Sequence, residues 1–248
     1  GCNAMRAGVL IRYFLIGCMA LLVLVSCRNK VSTSQVATDQ PTPTSILFIG
    51  NSYTDFNNGM DQQLQGLAPV SKASRIAPGG YTLEKHWTDG NTLQAIRQQR
   101  WGYVVLQEQS QTPVFNFEKF RQFAKAFDQE IKVSGAKTIL WMTWERPDSV
   151  GYGVTTANLA AAYTTVGKDV GAKVAPVGLA FERSLRERPD LTLYSSDGHP
   201  TVNGTYLAAC VLYGTIFARS PVGNAYSDQS IPPETRAYLQ KIAADSLG

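Results

Sequence analysis

The sequence predicts an α/β protein in which a parallel sheet carries helices on both faces. Apolar runs of strand length alternate along the chain with longer segments whose apolar residues recur three and four positions apart. Gly135 and Gly171 each separate such a helical segment from the next strand, where a C-terminal glycine cap is expected. Strands and helices that alternate in this way build a parallel sheet between helical layers.

The predicted strands are four apolar runs that suit burial on both faces of a sheet. They cover residues 46–49, 103–106, 137–142 and 173–177. Helices are predicted from their apolar periodicity at about 58–67 and at 91–101, 117–135, 155–171 and 206–217. In such a sheet the ligand crevice lies at the carboxyl ends of the strands. Ser52 follows the first strand and is therefore expected at that crevice, with Gly50 allowing the chain to turn there.

The first 26 residues have the layout of a secretory signal. Arg6 and Arg12 supply the positive charge, and an apolar run follows them. The stretch LVSC ends at Cys27 and resembles a bacterial lipobox, which predicts a lipoprotein-type signal peptide at 1–26 and a lipidated Cys27. A similar match at Cys18 would leave too short an apolar segment. The alternative is an uncleaved membrane helix, because about 20 apolar residues can span a bilayer.

Residues 27–44 are predicted to be the lipidated cysteine and a flexible tether, because positions 28–44 are polar and contain Pro41 and Pro43. The folded domain then occupies 45–248, a length that suits one α/β domain. This organisation predicts a protein of the bacterial cell envelope, held at a membrane through the lipid on Cys27 and facing the periplasm or the outside.

Composition argues against several classes of function. The formal charge of +4 falls to +2 once Arg6 and Arg12 are removed, leaving 21 basic and 19 acidic residues. The sequence contains no basic stripe, so a nucleic-acid partner is not expected. Cys210 is the one cysteine within 45–248, and nothing has the spacing of a zinc site or a disulfide framework. Its apolar helical surroundings predict a buried thiol.

One serine and one histidine are the candidates for catalysis. A serine hydroxyl needs a neighbouring base before it can attack a carbonyl group. The chain has two histidines, and His199 is followed by Pro200, which favours an extended backbone at the histidine. Side chains two residues apart point the same way in an extended segment, so Asp197 is predicted to orient the imidazole toward Ser52.

These residues belong to five segments that resemble the SGNH (GDSL-type) hydrolase superfamily, and in particular its bacterial members with a GNSYT-like first block. The segments are ILFIGNSYT, APGGYTLEKHW, YVVLQEQS, ILWMTWERP with APVGLAF after it, and DGHPTVNGTYLAACVLYGTIF, spread over residues 46–217. The resemblance implies a three-layer α/β/α sandwich of the flavodoxin-like kind, with Ser52 as nucleophile, His199 as base and Asp197 as its acid. The chain lacks a G-x-S-x-G elbow, which argues against the α/β-hydrolase fold.

The resemblance also implies an oxyanion hole made by the Ser52 N–H, a glycine N–H and an asparagine side chain. Gly80 fits the glycine role, with Gly79 as the less favoured neighbour. Where the superfamily has Gly-x-Asn-Asp, this chain reads LQEQS, so a glutamine is expected to donate instead: Gln107 as the first choice, or Gln109. A second departure is the Asp-x-His spacing, which puts Ser196 at the usual position of the acid.

Three further residues are weaker candidates for substrate binding. His86 lies near the end of the second segment, and Trp144 and Arg146 follow the predicted strand at 137–142, where side chains overhang the crevice. The predicted function is a serine ester hydrolase without metal or cofactor, acting on an ester substrate such as an acetylated polysaccharide: a carbohydrate O-acetyl esterase or another short-chain esterase. The alternatives are a lipase or lysophospholipase, and an inactive glycan-binding lipoprotein.

Overall fold

A computed structural model describes residues 42–248, which are built around a five-stranded parallel sheet. The strands are β1 (Ser45–Ile49), β2 (Lys72–Ile76), β3 (Tyr103–Leu106), β4 (Lys137–Trp141) and β5 (Lys173–Ala175). Their order across the sheet is β2-β1-β3-β4-β5. The predicted signal peptide at 1–26, the lipidation at Cys27 and nearly all of the tether lie outside the described residues.

The segments between and after the strands contain helices. They are α1 (Ser52–Asp55), α2 (Met60–Leu67), α3 (Leu83–Asp89), α4 (Asn91–Gln98), α5 (Thr112–Phe115), α6 (Phe117–Val133), α7 (Pro147–Val150), α8 (Thr156–Val170), α9 (Val177–Glu187), α10 (Val202–Phe217) and α11 (Pro233–Ser246). Within residues 42–248, every helix is too short or too polar to span a bilayer.

Alternate residues of the central strands enter two separate cores. Ile46 and Phe48 pack with α2, α9, α10 and α11 on one face of the sheet. Leu47 and Ile49 pack with α3, α4, α6 and α8 on the other. This period of two is what a strand buried on both faces produces. The predicted three-layer α/β/α sandwich is confirmed.

Several boundaries differ from the predicted ones. The predicted set lacks β2, whose sequence KASRI has no apolar run because this edge strand is half-exposed. Helix α2 begins at Met60 rather than near residue 58, since Asn57, Asn58 and Gly59 all have positive φ. Cys210 is buried in α10 as predicted, and burial raises the pKa of its thiol to about 12.

The strand order determines where a crevice opens. From β1 the chain first adds β2 on one side and then crosses to β3 on the other. The connections after β1 and β3 therefore diverge at the carboxyl ends of two neighbouring strands, which is where open α/β sheets bind ligands. Ser52 follows β1, and residues 107–111 follow β3, so both lie at this crevice.

Candidate active site

Ser52 is the first residue of α1, directly after the turn that ends β1. Asn51 caps this helix: its Oδ1 accepts a hydrogen bond from the Tyr53 N–H at 3.1 Å. Gly50 is required for space, because a Cβ there would lie 2.2 Å from Oγ1 of Thr54 and 2.5 Å from Oε1 of Gln107. The N–H of Ser52 belongs to the first turn of a helix, where backbone donors lack a partner within the helix.

The structure brings Ser52, His199 and Asp197 together. The Ser52 Oγ lies 2.9 Å from Nε2 of His199, although 147 residues separate them in the chain. On the other side of the ring, Oδ2 of Asp197 is 2.9 Å from Nδ1. The Nδ1–H of His199 does not point at this carboxylate oxygen. The two groups are therefore within ion-pair distance but do not form an aligned hydrogen bond. Hydrogen bonds in unliganded sites are often misaligned in this way.

Asp197 is held as a carboxylate. Its Oδ1 accepts hydrogen bonds from the Ser195 hydroxyl at 2.7 Å and from the His199 N–H at 3.1 Å. The Ser195 hydroxyl, the His199 N–H and the His199 ring together lower the pKa of this carboxyl well below its ordinary value. Asp197 therefore stays ionised at neutral pH, as a group that supports an imidazolium must.

The contact between Asp197 and His199 comes from a tight turn, which corrects the prediction of an extended segment. The Gly198 N–H donates to the Ser195 carbonyl and the Ser195 N–H to the His199 carbonyl, and Gly198 has φ +86°. In this turn the carboxylate folds back over the backbone N–H of His199. Pro200 follows in an antiparallel bridge with Tyr194, so the extended backbone begins only after the histidine.

The two glutamines after β3 have different surroundings. Gln107 is buried beneath the Ser52 turn, where its Oε1 accepts from the Asn51 N–H at 3.1 Å and the Thr54 hydroxyl at 2.9 Å. Its Nε2 donates to the Glu108 carbonyl at 2.6 Å. Gln109 is half-buried; its Oε1 accepts from the N–H groups of Gln111 and Thr112, and its Nε2 has a single long contact of 3.3 Å to Ser110 Oγ. The amide of Gln109 is the more available donor.

A buried carboxyl group joins the loops that carry Gly80 and Gln109. Oε1 of Glu108 accepts from the Gln109 N–H at 2.7 Å and from the Leu83 N–H at 3.1 Å. Burial raises the pKa of this carboxyl to about 7. Gly80 itself is exposed and has φ +71°, and the carbonyl of the next residue, Tyr81, accepts a hydrogen bond from the Asn51 side chain at 3.0 Å. Hydrogen bonds thus hold the segments that contain Gly80 and Gln109 next to Ser52.

Known structures with this architecture include hydrolases. A proposed SGNH hydrolase from Slackia heliotrinireducens superimposes with a TM-score of 0.63 at 28% identity, over 71% of this chain and 100% of that one. A DUF4886 family protein from Bacteroides uniformis gives 0.70 at 17% identity, over 83% and 95%. An acetylxylan esterase from Geobacillus stearothermophilus gives 0.56 at 14% identity, over 70% and 94%. The chain has the SGNH hydrolase fold. It matches no protein-family model and no curated protein sequence.

On this SGNH fold, Trp144 and Arg146 lie behind the histidine turn and not on an open cleft. Trp144 is buried between the rings of Tyr53 and Phe181, each stacked on it at 4.3 Å, and its Nε1 donates to the Gly198 carbonyl at 3.1 Å. Arg146 donates to the Asp197 carbonyl at 3.0 Å and pairs with Asp148. Both side chains hold the turn in place.

His86 is also occupied within the SGNH fold. The ring is buried, with Nε2 2.6 Å from the Gly50 carbonyl and Nδ1 2.8 Å from the Thr92 hydroxyl. Burial lowers the pKa of His86, so the neutral ring donates from Nε2 to the carbonyl and accepts from Thr92. Because both nitrogens have partners inside the protein, His86 fixes the end of β1 and has no free group for a substrate.

Two residues that follow α1 were not predicted to belong to the site. Phe56 is exposed and stacks on the His199 ring, with 4.3 Å between the ring centroids and 14° between the planes. Asn57 donates from Nδ2 to the Pro200 carbonyl at 2.9 Å and to the Thr205 hydroxyl at 2.8 Å. The one sequence signal for a role of Phe56 and Asn57 in the site was their position shortly after the GNSYT segment. Only the fold shows that they contact the loop that carries His199.

Proposed function

We propose that this chain is a serine ester hydrolase in which Ser52 is the nucleophile and His199 the general base. The observation that carries the proposal is the 2.9 Å contact between Ser52 Oγ and His199 Nε2 at the crevice of an SGNH fold. Asp197, ionised and next to Nδ1, would favour the tautomer that leaves Nε2 free to accept the serine proton.

The reaction would proceed by two transfers of an acyl group. Ser52 Oγ attacks the ester carbonyl carbon while its proton passes to His199 Nε2. The resulting imidazolium gives this proton to the departing alcohol oxygen as the tetrahedral intermediate collapses to an acyl-enzyme. Water then attacks the acyl carbon while His199 takes a proton from it, and His199 gives this proton to Ser52 Oγ as the second intermediate collapses and the carboxylic acid leaves. These steps need no metal or cofactor.

The oxyanion of each intermediate needs donors that are preorganised at the crevice. We assign this role to the Ser52 N–H, the Gly80 N–H and the side-chain amide of Gln109. Gln109 takes precedence over Gln107 because both ends of the Gln107 amide are engaged beneath the turn. Glu108 supports the assignment, since one of its oxygens binds backbone N–H groups next to both loops.

A carbohydrate O-acetyl ester is the favoured substrate. One structure with this fold is that of an acetylxylan esterase. The loops after β3 and β4 also expose two aromatic rings, Phe115 at 54% and Tyr152 at 72%, in edge contact at 6.2 Å. Exposed rings beside a crevice suit stacking on sugar faces. In this proposal the protein acts in the cell envelope, held there by the lipid on Cys27.

A lipase or lysophospholipase is the second candidate. The exposed apolar side chains around the crevice include Phe56 as well as Phe115, Val150 and Tyr152, and an acyl chain would also fit such a rim. Rates on acetylated xylan and on a long-chain lysophospholipid separate the two. Faster release of acetate supports the esterase; faster release of the long acyl chain supports the lipase.

The test of the reaction itself is covalent labelling with a fluorophosphonate probe. We expect mass spectrometry to locate the probe on Ser52, and Ser52→Ala to lower kcat on 4-nitrophenyl acetate by about 10⁵-fold or more. The exposed Ser74 on β2 offers a matched control, since Ser74→Ala should leave both labelling and turnover unchanged. Glycan binding without any labelling of Ser52 would instead identify a non-catalytic binding protein.

A further inference from the structure

Basic residues gather at the amino ends of the strands, opposite the crevice. Lys72, Lys137 and Lys173 are the first residues of β2, β4 and β5. Arg100 lies on the same edge, since its carbonyl accepts a hydrogen bond from the Ser45 hydroxyl at the start of β1. All four side chains are exposed and none forms an ion pair within residues 42–248. The sheet thus presents unpaired cations across a width of about 19 Å.

Two of these basic side chains line the same cavity. Lys137 and Lys173 line a cavity of about 270 Å³ together with Lys132 and Asp128. Lys132 is neutralised, because its Nζ lies 2.7 Å from Oδ2 of Asp128 and donates to the Val170 carbonyl. Lys137 and Lys173 have no such partner among the described residues, so the cavity keeps a net positive charge.

Exposed valines accompany the basic residues. Val133, the last residue of α6, is 87% exposed, and Val70 precedes Lys72. Val222 is also exposed and lines a cavity with Pro69, the residue before Val70. We call this surface the basic edge; it comprises Lys72, Arg100, Lys137, Lys173, Val70, Val133 and Val222. Unpaired cations mixed with exposed apolar side chains are the composition of surfaces that lie on anionic bilayers.

The segment that precedes β1 points to a lipid bilayer as the partner of the basic edge. The chain enters β1 at Ser45, on this same edge. If Cys27 carries the predicted lipid, the 18 residues of 27–44 join the bilayer to this edge, and a flexible chain of that length extends roughly 20–25 Å. At the opposite end of the sheet the charges of the crevice loops are largely paired, since Glu84 binds Lys119 and Asp148 binds Arg146. An anionic surface would therefore attract the basic edge more strongly than the crevice end.

We propose that the basic edge binds the phosphate groups of an anionic lipid bilayer and holds the catalytic crevice facing away from the membrane. The lysine and arginine side chains contact phosphodiester oxygens, while the valines enter the head-group layer. Each basic residue next to an anionic leaflet contributes about fivefold to the equilibrium, so three lysines contribute about a hundredfold. The proposal goes beyond the esterase reaction and does not depend on Ser52.

Hydrogen–deuterium exchange of the full chain in vesicles tests the orientation. The full chain is reconstituted into vesicles that contain phosphatidylglycerol and, separately, into vesicles of phosphatidylcholine alone. We expect amides of residues 70–73 and 132–137 to exchange about tenfold more slowly on the anionic vesicles, with those of the crevice-loop residues 145–153 unchanged. The protection should disappear in 1 M salt, where the screening length is about 3 Å.

Two triple variants separate local charge from net charge. The triple variant Lys72→Gln, Lys137→Gln and Lys173→Gln should lose the protection, and it should stay folded because the three side chains are exposed and unpaired in the described part of the chain. The control Lys85→Gln, Lys119→Gln and Lys241→Gln removes the same charge from exposed positions on α3, α6 and α11 and should keep the protection.

The proposal is overturned by protection that is equal on neutral vesicles, by an equal loss in both triple variants, or by protection of residues 145–153 instead. Equal protection by soluble heparin in the absence of vesicles would also overturn it, because the edge would then bind polyanions in general. None of these readouts uses ester hydrolysis, so failure here is distinct from failure of the proposed reaction.

Discussion

Gly198→Ala should reduce stability and activity together, because Gly198 provides the turn between Asp197 and His199 with both its conformation and its space. The residue has φ +86°, a conformation that alanine adopts at a cost of about 1 kcal/mol. A Cβ at this position would also lie 2.5 Å from Cδ of Arg146 and 2.8 Å from the hydroxyl oxygen of Tyr53. Both distances are shorter than van der Waals contact.

The steric clash of the added Cβ is the larger of the two effects. Arg146 has a flexible side chain that can move, but Tyr53 is stacked on Trp144 at 4.3 Å and cannot turn away. The turn itself must therefore shift, and overpacking of this kind costs about 1–3 kcal/mol. The expected loss in the free energy of unfolding is about 2–4 kcal/mol in total. A displacement of His199 by about 1 Å should lower kcat/KM about 100-fold.

Thermal unfolding and hydrolysis of 4-nitrophenyl acetate measure the two effects. Gly223→Ala is the matched control, since Gly223 has φ +83° and no atom within 4 Å of an added Cβ. That variant should lose only the conformational cost, about 1 kcal/mol, which is about 2–4 °C in Tm for a domain of this size. Gly198→Ala should lose at least twice as much. Equal losses of Tm in the two variants, with unchanged turnover, would refute the reasoning.

Three further predictions concern neighbouring residues. Between pH 4.5 and about 7 the folded protein holds a proton on Glu108 that the unfolded chain has released, so the free energy of unfolding should fall by up to about 3 kcal/mol as the pH rises through this window. Glu108→Gln should remove that slope in urea titrations, and an unchanged slope would contradict the assignment. Gln109→Ala should lower kcat about 10²–10³-fold at constant Tm, whereas Gln107→Ala should lower the free energy of unfolding by about 3 kcal/mol, because it leaves buried donors unpaired; the reverse pattern would restore Gln107 to the oxyanion hole. Asp197→Asn should reduce kcat by roughly 10²-fold, at the low end for a triad carboxylate, because the side chain is 66% exposed; turnover within twofold of the unsubstituted protein would show that His199 acts without it.

The central strands could be predicted because burial on both faces demands continuous apolar runs. β1, β3 and β4 have such runs and were predicted nearly to the residue. β2 has a neighbouring strand on one side only, and its sequence KASRI mixes polar and apolar residues without an apolar run, so its pattern does not differ from that of a loop. Its place in the sheet depends on pairing with β1, which is a long-range contact that no local pattern records.

The residues of the candidate site could be predicted from the sequence, but their geometry could be predicted less well. With two histidines in the chain, the pairing of Ser52 with His199 had few competitors. The backbone around Asp197 was predicted as extended, because the restraint that Pro200 imposes was given more weight than the positive φ that Gly198 allows. Trp144 and His86 were expected at an open cleft, but packing against Tyr53 and hydrogen bonding to Gly50 bury them.

The sequence by itself determined the α/β class, the central strands and the small set of residues proposed to perform acyl transfer, because these follow from local periodicity and from rare side chains. Only the tertiary structure decided which glutamine is available, which aromatic rings face solvent, and that dispersed lysines share one edge. Lys72, Lys137 and Lys173 are far apart in a chain that shows no basic stripe. They become neighbours because parallel strands begin at the same end of the sheet.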